Sequence, residues 1–398
     1  MKRSMIVILA VLSLGVSAAE PAVQGFNEAK LWGKPGKAIN GQPALEVVRE
    51  NNAVRVTQPF GPGGIASMRI AQYPCDGGKD LEKEYEGIAF EVQGDGSIEW
   101  GCIQVGETNA MMGKYYFPVA DKNWKEYRVS FADMAPASVH TTGLPARMKA
   151  GRITEIRFGD RWKIRWENQK RKPFSYQVRN LRLIEKIQPS IQTGKYKLRP
   201  LSDVVKDMKA GKKVQVTCFG DSITAGTSLR SGEKRYAILL GEKLAAKFKN
   251  PNIKSVCTAV GGASSFDSIS WLDRDLSAGV PDVATMLIGY NNRSGGQSAE
   301  MYRKQLEMWL DRLAAKSRGK TAVILIPSVP GVPRWFAQDD LAEVTREVAK
   351  KYNCTVAPID QAIKKIGPQV YRSKYLRDGI HPGPVGHELF AKVLMECF

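Results

Sequence analysis

The second half of the chain alternates short apolar runs with longer stretches in which apolar residues recur at helical spacing. The apolar runs have the length of buried strands, and they fall at residues 214–219, 253–258, 283–288, 322–326 and 354–357. Amphipathic stretches flank and separate them, at residues 201–210, 235–248, 266–277, 299–315, 339–352 and 384–394. Repeated strand–helix units predict an α/β fold, in which a doubly wound, flavodoxin-like parallel sheet carries helices on both faces.

The first half shows short runs that alternate or are rich in β-branched and aromatic residues. These runs lie at residues 53–57, 65–70, 85–92, 97–105, 124–131 and 175–184, with clusters of Pro, Gly and Asn between them. Many short strands separated by turn signals predict an all-β sandwich. The chain therefore divides into a β-sandwich domain at 20–187, a mostly polar linker at 188–200 and an α/β domain at 201–398.

The first 19 residues have the features of a secretory signal peptide. Lys2 and Arg3 precede an apolar run at 5–16, and the small residues at 16–18 offer a cleavage site. This run is too short to span a bilayer comfortably, and no later segment is long and apolar enough to do so. We therefore expect a secreted or periplasmic protein without stable membrane insertion.

The formal net charge of +19 predicts a surface that attracts polyanions. Nucleic acid is not the expected partner, because the predicted signal peptide directs the chain out of the cytoplasm. An acidic polysaccharide or an anionic cell surface agrees better with export, and the alternative is a basic surface without such a partner. Trp162 and Trp166 lie among Arg and Lys residues, where they either stack on sugar rings or pack in the core.

The six cysteines show no C-x-x-C spacing, so neither a zinc site nor a dithiol redox motif is predicted. Cys218, Cys257 and Cys354 fall in predicted core strands, where cysteine commonly acts as a small apolar side chain. Cys75 and Cys102 both lie in the predicted sandwich, and export permits a disulfide between them. No cofactor or metal is expected, because the three histidines are far apart and no phosphate-loop or H-E-x-x-H pattern occurs.

Ser222 is a candidate nucleophile, because it follows the first predicted strand of the α/β domain after Gly220 and Asp221. At such a position a hydroxyl can be presented at the mouth of an open sheet. A serine needs a base to take its proton, and the base needs an acid group to fix its tautomer. Asp378 and His381 lie three residues apart and can supply both. The alternatives are that Ser222 caps a helix and that His381 belongs to a turn.

Four sequence blocks in the second half of the chain resemble those of the SGNH, or GDSL, hydrolases. They are G-D-S-I at 220–223, A-V-G-G-A-S at 259–264, I-G-Y-N at 288–291 and D-G-I-H at 378–381, in the order of the family. The resemblance implies a serine hydrolase whose catalytic triad is Ser222, Asp378 and His381. His387 is then expected on the helix that follows, as a surface or packing residue.

The same resemblance implies an oxyanion hole. Its donors would be the backbone amides of Ser222 and Gly262 and the side-chain amide of Asn291. The family often has Asp after this Asn, whereas this chain has Asn292. We expect that difference to affect fine tuning rather than the core chemistry.

The domain order resembles that of carbohydrate esterases with a jelly roll ahead of an SGNH domain, and the patterns at 124–134 and 178–183 resemble jelly-roll carbohydrate-binding modules. This resemblance implies a secreted esterase that removes O-acetyl or other short acyl groups from a polysaccharide or oligosaccharide. Two alternatives stay open: a lipase or thioesterase acting on longer acyl chains, and an inactive hydrolase fold that binds carbohydrate. Trp335 and Phe336 either line the substrate cleft or pack beneath a loop.

Overall fold

A computed structural model of the chain describes residues 46–50, 53–58, 81–107, 112–159 and 174–398. The predicted signal peptide at 1–19, the predicted strand at 65–70, Cys75, Trp162 and Trp166 lie outside these residues. The signal peptide and the role of the two tryptophans therefore stay predictions. The predicted disulfide is not supported, because Cys102 is a buried thiol whose Sγ donates to the carbonyl of Ile103 at 3.7 Å. Within the described part of the chain, no helix has the length and apolar character needed to cross a membrane.

The N-terminal β region, meaning the described residues between 46 and 184, consists of short antiparallel strands. They are β1 (Glu46–Glu50), β2 (Ala53–Gln58), β3 (Glu84–Tyr85), β4 (Gly87–Gly94), β5 (Trp100–Gly106), β6 (Met112–Pro118), β7 (Lys125–Ser130), β8 (Ala135–Pro136), β9 (Met148–Lys149), β10 (Glu155–Phe158) and β11 (Phe174–Ile184). A five-stranded sheet has the order β1-β2-β11-β4-β7, a four-stranded sheet the order β10-β5-β6-β8, and β3 pairs with β9. Most of the strands predicted from alternation are thus present, with shifted ends.

The two larger sheets share one hydrophobic core. Phe90 on β4 and Phe117 on β6 come from different sheets, and their ring centroids lie 5.5 Å apart in an edge-to-face arrangement. Ile103 and Val105 on β5 belong to the same buried cluster. Because side chains alternate along a strand, Gln104 between them points to the opposite face of the four-stranded sheet.

The C-terminal α/β region, residues 201–398, contains a parallel sheet. Its strands are β12 (Val214–Gly220), β13 (Ile253–Cys257), β14 (Val283–Leu287), β15 (Ala322–Ile326) and β16 (Thr355–Val356), in the order β13-β12-β14-β15-β16. Numbered within this region, the order is 2-1-3-4-5, which is that of flavodoxin-like sheets. The predicted parallel α/β sheet is confirmed. Such a sheet gathers ligand-binding groups at the carboxyl ends of its strands, where the order reverses.

The helices of this region flank the sheet. They are α1 (Leu201–Lys209), α2 (Ser222–Ala225), α3 (Tyr236–Lys247), α4 (Ser265–Ser270), α5 (Leu272–Asp275), α6 (Tyr290–Ser294), α7 (Ala299–Ser317), α8 (Asp339–Tyr352), α9 (Ile359–Ile366), α10 (Pro368–Val370) and α11 (Pro384–Met395). The single helix predicted at 266–277 is wrong, because Trp271 departs from helical geometry (φ −93°, ψ 4°) and separates α4 from α5. The Trp271 ring is buried in the cluster that joins the two regions.

The segment 185–200 connects the two regions and is tied to both. The backbone amides of Ser190 and Ile191 donate to the carboxylate of Asp133, at 2.7 and 3.0 Å. The amide of Arg199 donates to the carbonyl of Thr321 at 3.0 Å. This segment is therefore anchored near its two ends, while the boundaries at 188 and 200 stay predictions.

The two regions also pack directly on each other. Arg312 of α7 is buried, and its guanidinium donates to the carbonyls of Ala132, Asp133 and Met134 at 3.3, 2.7 and 2.9 Å. Tyr116 of β6 belongs to the same hydrophobic cluster as residues of α4 and β14. As a result, the outer face of the four-stranded sheet lies against the α/β region.

Candidate active site

Ser222 begins the short helix α2, directly after β12. Asp221 caps this helix, and its Oδ1 accepts a hydrogen bond from the amide of Ile223 at 2.9 Å. Gly220 is required at the strand end, because a Cβ there would lie 2.2 Å from Thr224 Oγ1 and 2.7 Å from the carbonyl of Leu287. The tight turn presents the Ser222 side chain at the carboxyl edge of the sheet, next to the switch in strand order.

His381 and Asp378 come from the loop before α11. His381 Nε2 lies 2.9 Å from Ser222 Oγ, and His381 Nδ1 lies 2.7 Å from Asp378 Oδ2. Ser228 Oγ donates to the carbonyl of Pro382 at 2.8 Å, which ties this loop to the segment after α2. The structure thus brings the three predicted triad side chains into one hydrogen-bonded chain.

Asp378 is held as an acceptor. Partial burial alone raises the pKa of its carboxyl, but hydrogen bonds from the His381 amide and ring and from the Ile380 amide more than offset it. The net effect lowers the pKa of Asp378 below its ordinary value. Its Oδ1 accepts from the amides of Ile380 and His381 at 3.0 and 2.8 Å, which leaves Oδ2 for the imidazole.

Gly262 and Asn291 follow the two strands that flank β12, and the structure brings both beside Ser222. Gly262 has φ +82° in a turn closed by a hydrogen bond from the Ala263 amide to the Val260 carbonyl, at 3.1 Å. A Cβ added to the neighbouring Gly261 would lie 3.9 Å from the Cβ of Ser222. The Ser222 and Gly262 amides donate to no protein acceptor among the described residues.

The side-chain amide of Asn291 donates to the carbonyl of Ala263 at 2.9 Å. Its distance to Asp221 Oδ2 is 3.5 Å, at the limit of a hydrogen bond. One of its two N–H groups is therefore anchored, and the other is weakly engaged. Together with the two backbone amides, this group can stabilise a negatively charged oxygen that develops next to Ser222.

Asp221 is a feature of the site that the sequence reasoning used only as part of a motif. Its side chain is 1% exposed, and its Oδ2 lies 3.5 Å from the side-chain amide of Asn291. Burial raises the pKa of its carboxyl to about 7, while the hydrogen bond from the Ile223 amide and the attraction of His381 act in the opposite direction. The pKa of Asp221 is therefore raised above the ordinary carboxyl value, whereas the pKa of Asp378 is lowered below it.

A cleft of about 650 Å³ lies beside the oxyanion donors and between the two regions. Gly262, Ser264, Phe266 and Asn291 line it from the α/β region. The facing wall comes from the N-terminal β region and contains Gln104, Lys114, Arg157 and the segment 137–139. Sequence reasoning missed this wall, because only the pairing of strands distant in sequence brings its residues together.

Asn292, where the family often has Asp, has a structural role. It is buried, and its side-chain amide donates to Ser265 Oγ at 2.6 Å and to Gln297 Oε1. Gln297 Nε2 in turn donates to the carbonyl of Val139 at 2.8 Å. The neighbour of Asn291 is thereby linked to the N-terminal β region.

The remaining candidates lie away from this chemistry. Trp335 is half-buried against Tyr371, with ring centroids 6.1 Å apart, and Phe336 is 73% exposed; neither lines the cleft. His387 is buried, not on the surface, and its Nδ1 accepts from the Tyr236 amide at 3.2 Å. Burial lowers the pKa of His387 to about 4. The described residues contain no cluster of His, Cys, Asp and Glu suited to a metal ion.

A known protein family matches most of the α/β region. Residues 218–389, less than half of the chain, match the sequence model of the GDSL-like Lipase/Acylhydrolase family. The match supports a hydrolase domain of the GDSL type, and this class acts on esters. No curated protein matches the chain.

Solved structures that resemble the chain include three esterases or acylhydrolases. An acetylxylan esterase from Geobacillus stearothermophilus is 19% identical, with 48% of this chain and 95% of that chain covered and a TM-score of 0.40. A lipase/acylhydrolase from Enterococcus faecalis is 21% identical, with coverage of 46% and 94% and a TM-score of 0.39. A two-domain esterase active on acetylated mannans is 22% identical, with coverage of 51% and 53% and a TM-score of 0.41.

Proposed function

We propose that this protein is a serine esterase that removes acetyl or other short acyl groups from a polysaccharide or oligosaccharide. The observation that carries the proposal is the continuous chain of contacts from Ser222 Oγ to His381 Nε2, at 2.9 Å, and from His381 Nδ1 to Asp378 Oδ2, at 2.7 Å. A serine hydroxyl is activated when a base accepts its proton and an acid group orients that base.

In this mechanism Ser222 Oγ attacks the ester carbonyl while His381 Nε2 accepts the hydroxyl proton. Asp378 fixes the imidazole tautomer and stabilises the imidazolium that forms. His381 then gives the proton to the leaving sugar alcohol, which leaves an acyl group on Ser222. Water attacks this acyl-enzyme by the same route, so that acetate is released and Ser222 is restored.

The negative charge that develops on the carbonyl oxygen is assigned to three donors. The backbone amides of Ser222 and Gly262 have no other protein acceptor among the described residues, and Asn291 has a weakly engaged N–H. Fixed donors of this kind lower the barrier because they do not have to reorient during the reaction.

The choice of a carbohydrate ester rests on further observations. The cleft beside the oxyanion donors carries charged and amide side chains, among them Gln104, Lys114 and Arg157, which suit a ligand with many hydroxyl groups. The predicted signal peptide and the predicted jelly-roll character of the N-terminal β region agree with a secreted or periplasmic enzyme on a polysaccharide. The charge of +19 favours an acidic polymer or surface.

The test is acetate release from a panel of acetylated plant and algal polysaccharides, with Ser222→Ala as the control. We expect release by the wild type only, together with labelling of Ser222 by a fluorophosphonate probe. A series of nitrophenyl esters addresses the lipase or thioesterase alternative, and we expect a steep fall in kcat/KM beyond butyrate. Hydrolysis of nitrophenyl acetate by purified Ser222→Ala would exclude the assignment of the nucleophile.

A further inference from the structure

A row of polar side chains crosses the four-stranded sheet at one register. Arg157 on β10 pairs with Gln104 on β5, and Gln104 pairs with Lys114 on β6. Directly paired residues on neighbouring strands point to the same face, so the three side chains form one line. Their chain neighbours Ile103 and Phe158 point into the core between the sheets. The row therefore lies on the outer face, which packs against the α/β region.

This row forms the wall of the cleft opposite the oxyanion donors. Gln104, Lys114 and Arg157 share the cleft with Gly262 and Asn291. Lys114 crosses to the α/β region, with Nζ 5.0 Å from the ring centroid of Phe266. The row and the oxyanion donors Gly262 and Asn291 therefore face the same cleft, so a ligand bound there can reach both.

The polar groups of the row are held in fixed positions. Gln104 is 6% exposed, and its Nε2 donates to the carbonyl of Gly159 at 2.8 Å, which orients its Oε1 as a hydrogen-bond acceptor. The guanidinium of Arg157 is paired with the fully buried carboxylate of Glu155. Fixed donors and acceptors suit a ligand rich in hydroxyl groups, because an alkyl chain would leave them without partners.

The wall is also fixed relative to the oxyanion loop. Gln305 Nε2 on α7 donates to the carbonyls of Ser138 and Thr141 at 2.9 and 2.6 Å, and Gln297 Nε2 donates to that of Val139. Ser138 and Val139 line the cleft. Buried glutamines thus hold one wall at a set distance from the other, as a selective site requires.

We infer that Gln104, with Lys114 and Arg157 on either side, binds the sugar residue that carries the ester and determines which acylated carbohydrate reaches Ser222. This inference rests on the proposed esterase function. In this arrangement, Gln104 Oε1 accepts a hydrogen bond from a sugar hydroxyl, and the two cationic side chains donate hydrogen bonds to sugar oxygens. These oxygens belong either to hydroxyl groups or to the carboxylate of a uronic acid.

The experiment compares two substrates, acetylated xylotriose and nitrophenyl acetate, in the full-length protein. Gln104→Met keeps the volume of the side chain but removes its acceptor. We expect its kcat/KM for the oligosaccharide to fall about tenfold more than that for nitrophenyl acetate, the effect of one lost hydrogen bond. Gln104→Glu keeps an acceptor oxygen beside two cations, and its substrate ratio should lie closer to the wild type.

Gln177→Met is the matched control, because Gln177 lies on β11 of the other sheet and does not line the cleft. It should leave the substrate ratio unchanged. Equal losses for both substrates in Gln104→Met would overturn the inference while the esterase proposal stands. Absence of turnover of either ester by the wild type would instead reject the proposed function itself.

Lys114→Met distinguishes the two kinds of sugar oxygen, those of hydroxyl groups and those of a carboxylate. Acetylated oligogalacturonate carries carboxylates, whereas acetylated xylotriose does not. If kcat/KM falls more for the acidic substrate, the cationic side chains bind a carboxylate. If it falls similarly for both substrates, they bind hydroxyl groups. An unchanged kcat/KM for both substrates, in a variant with wild-type Tm, contradicts a role for Lys114 in binding.

Discussion

The two walls of the cleft are built in different ways. The α/β wall, next to Ser222, consists largely of loops at the carboxyl ends of parallel strands. Ser222, Gly262 and Asn291 each lie a few residues after a strand end, whereas Asp378 and His381 come from the loop before α11. The opposite wall is the face of an antiparallel sheet, and its side chains are brought together by strand register alone. The comparison suggests that reaction chemistry and substrate choice are encoded separately in this molecule.

The largest effect is expected at the triad. Asp378→Asn removes the carboxylate that fixes the His381 tautomer, so kcat for nitrophenyl acetate should fall about 10⁴-fold. Asp203→Asn on α1 is the control, because Asp203 makes only an exposed ion pair with Lys206. Steady-state kinetics of both variants check the prediction. A loss in Asp378→Asn of less than tenfold would mean that the observed contact is not used in catalysis.

A smaller effect is expected at the oxyanion donor. Asn291→Ala should lower kcat by about 10²–10³-fold on every ester, because the donor acts on the carbonyl oxygen common to all of them. Substrate selectivity should not change. Asn123→Ala, in a loop of the N-terminal β region, serves as the control. If Asn291→Ala instead altered the ratio between oligosaccharide and aryl ester, the two walls would not be separable.

The contact between the regions gives a prediction about stability. Arg312→Met removes a charged donor from the carbonyls of Ala132, Asp133 and Met134, so unfolding free energy should fall by about 3 kcal/mol. The control is Arg303→Met on the same helix, where the lost ion pair with Glu347 is half exposed and contributes about 0–1 kcal/mol. Urea unfolding measures both. Equal midpoints for the two variants would contradict a structural role for Arg312.

The α/β side of the site was largely predictable from sequence, because the signals for its residues are local. Ser222 follows a recognisable apolar strand, and Asp378 and His381 lie three residues apart in a chain with few histidines. The parallel sheet of the α/β region followed from alternating strand and helix patterns. One local error concerned residues 266–277, where a buried tryptophan that joins the two regions interrupts the predicted helix.

The opposite wall could not be predicted, because it depends on contacts between distant residues. Gln104 and Arg157 are far apart in sequence, and only the pairing of β5 with β10 makes them neighbours. In the sequence, Gln305 looks like an ordinary polar residue of a helix, and Gln297 lies just before the residue that caps this helix. Their burial follows from packing against the segment 138–141, which no periodicity reveals.

The carboxyl groups of Asp221 and Asp378 should respond to pH in opposite ways. Burial raises the pKa of Asp221 to about 7, so the native state binds its proton more tightly than the unfolded chain does. Its contribution to stability is therefore complete below the unfolded pKa of about 4 and is lost as the pH rises through 7. The lowered pKa of Asp378 gives a contribution that is present above pH 4 and lost in acid.

Asp221→Asn tests this assignment, because the amide can still accept the Ile223 hydrogen bond but cannot ionise. The free energy of unfolding of the wild type minus that of Asp221→Asn should decrease between pH 5 and pH 8. The same difference for Asp378→Asn should instead increase from pH 2 to pH 5. Urea titrations across this range measure both. A pH-independent difference for Asp221→Asn would mean that Asp221 is ionised throughout, and the buried carboxyl beside the nucleophile would then need a cationic partner.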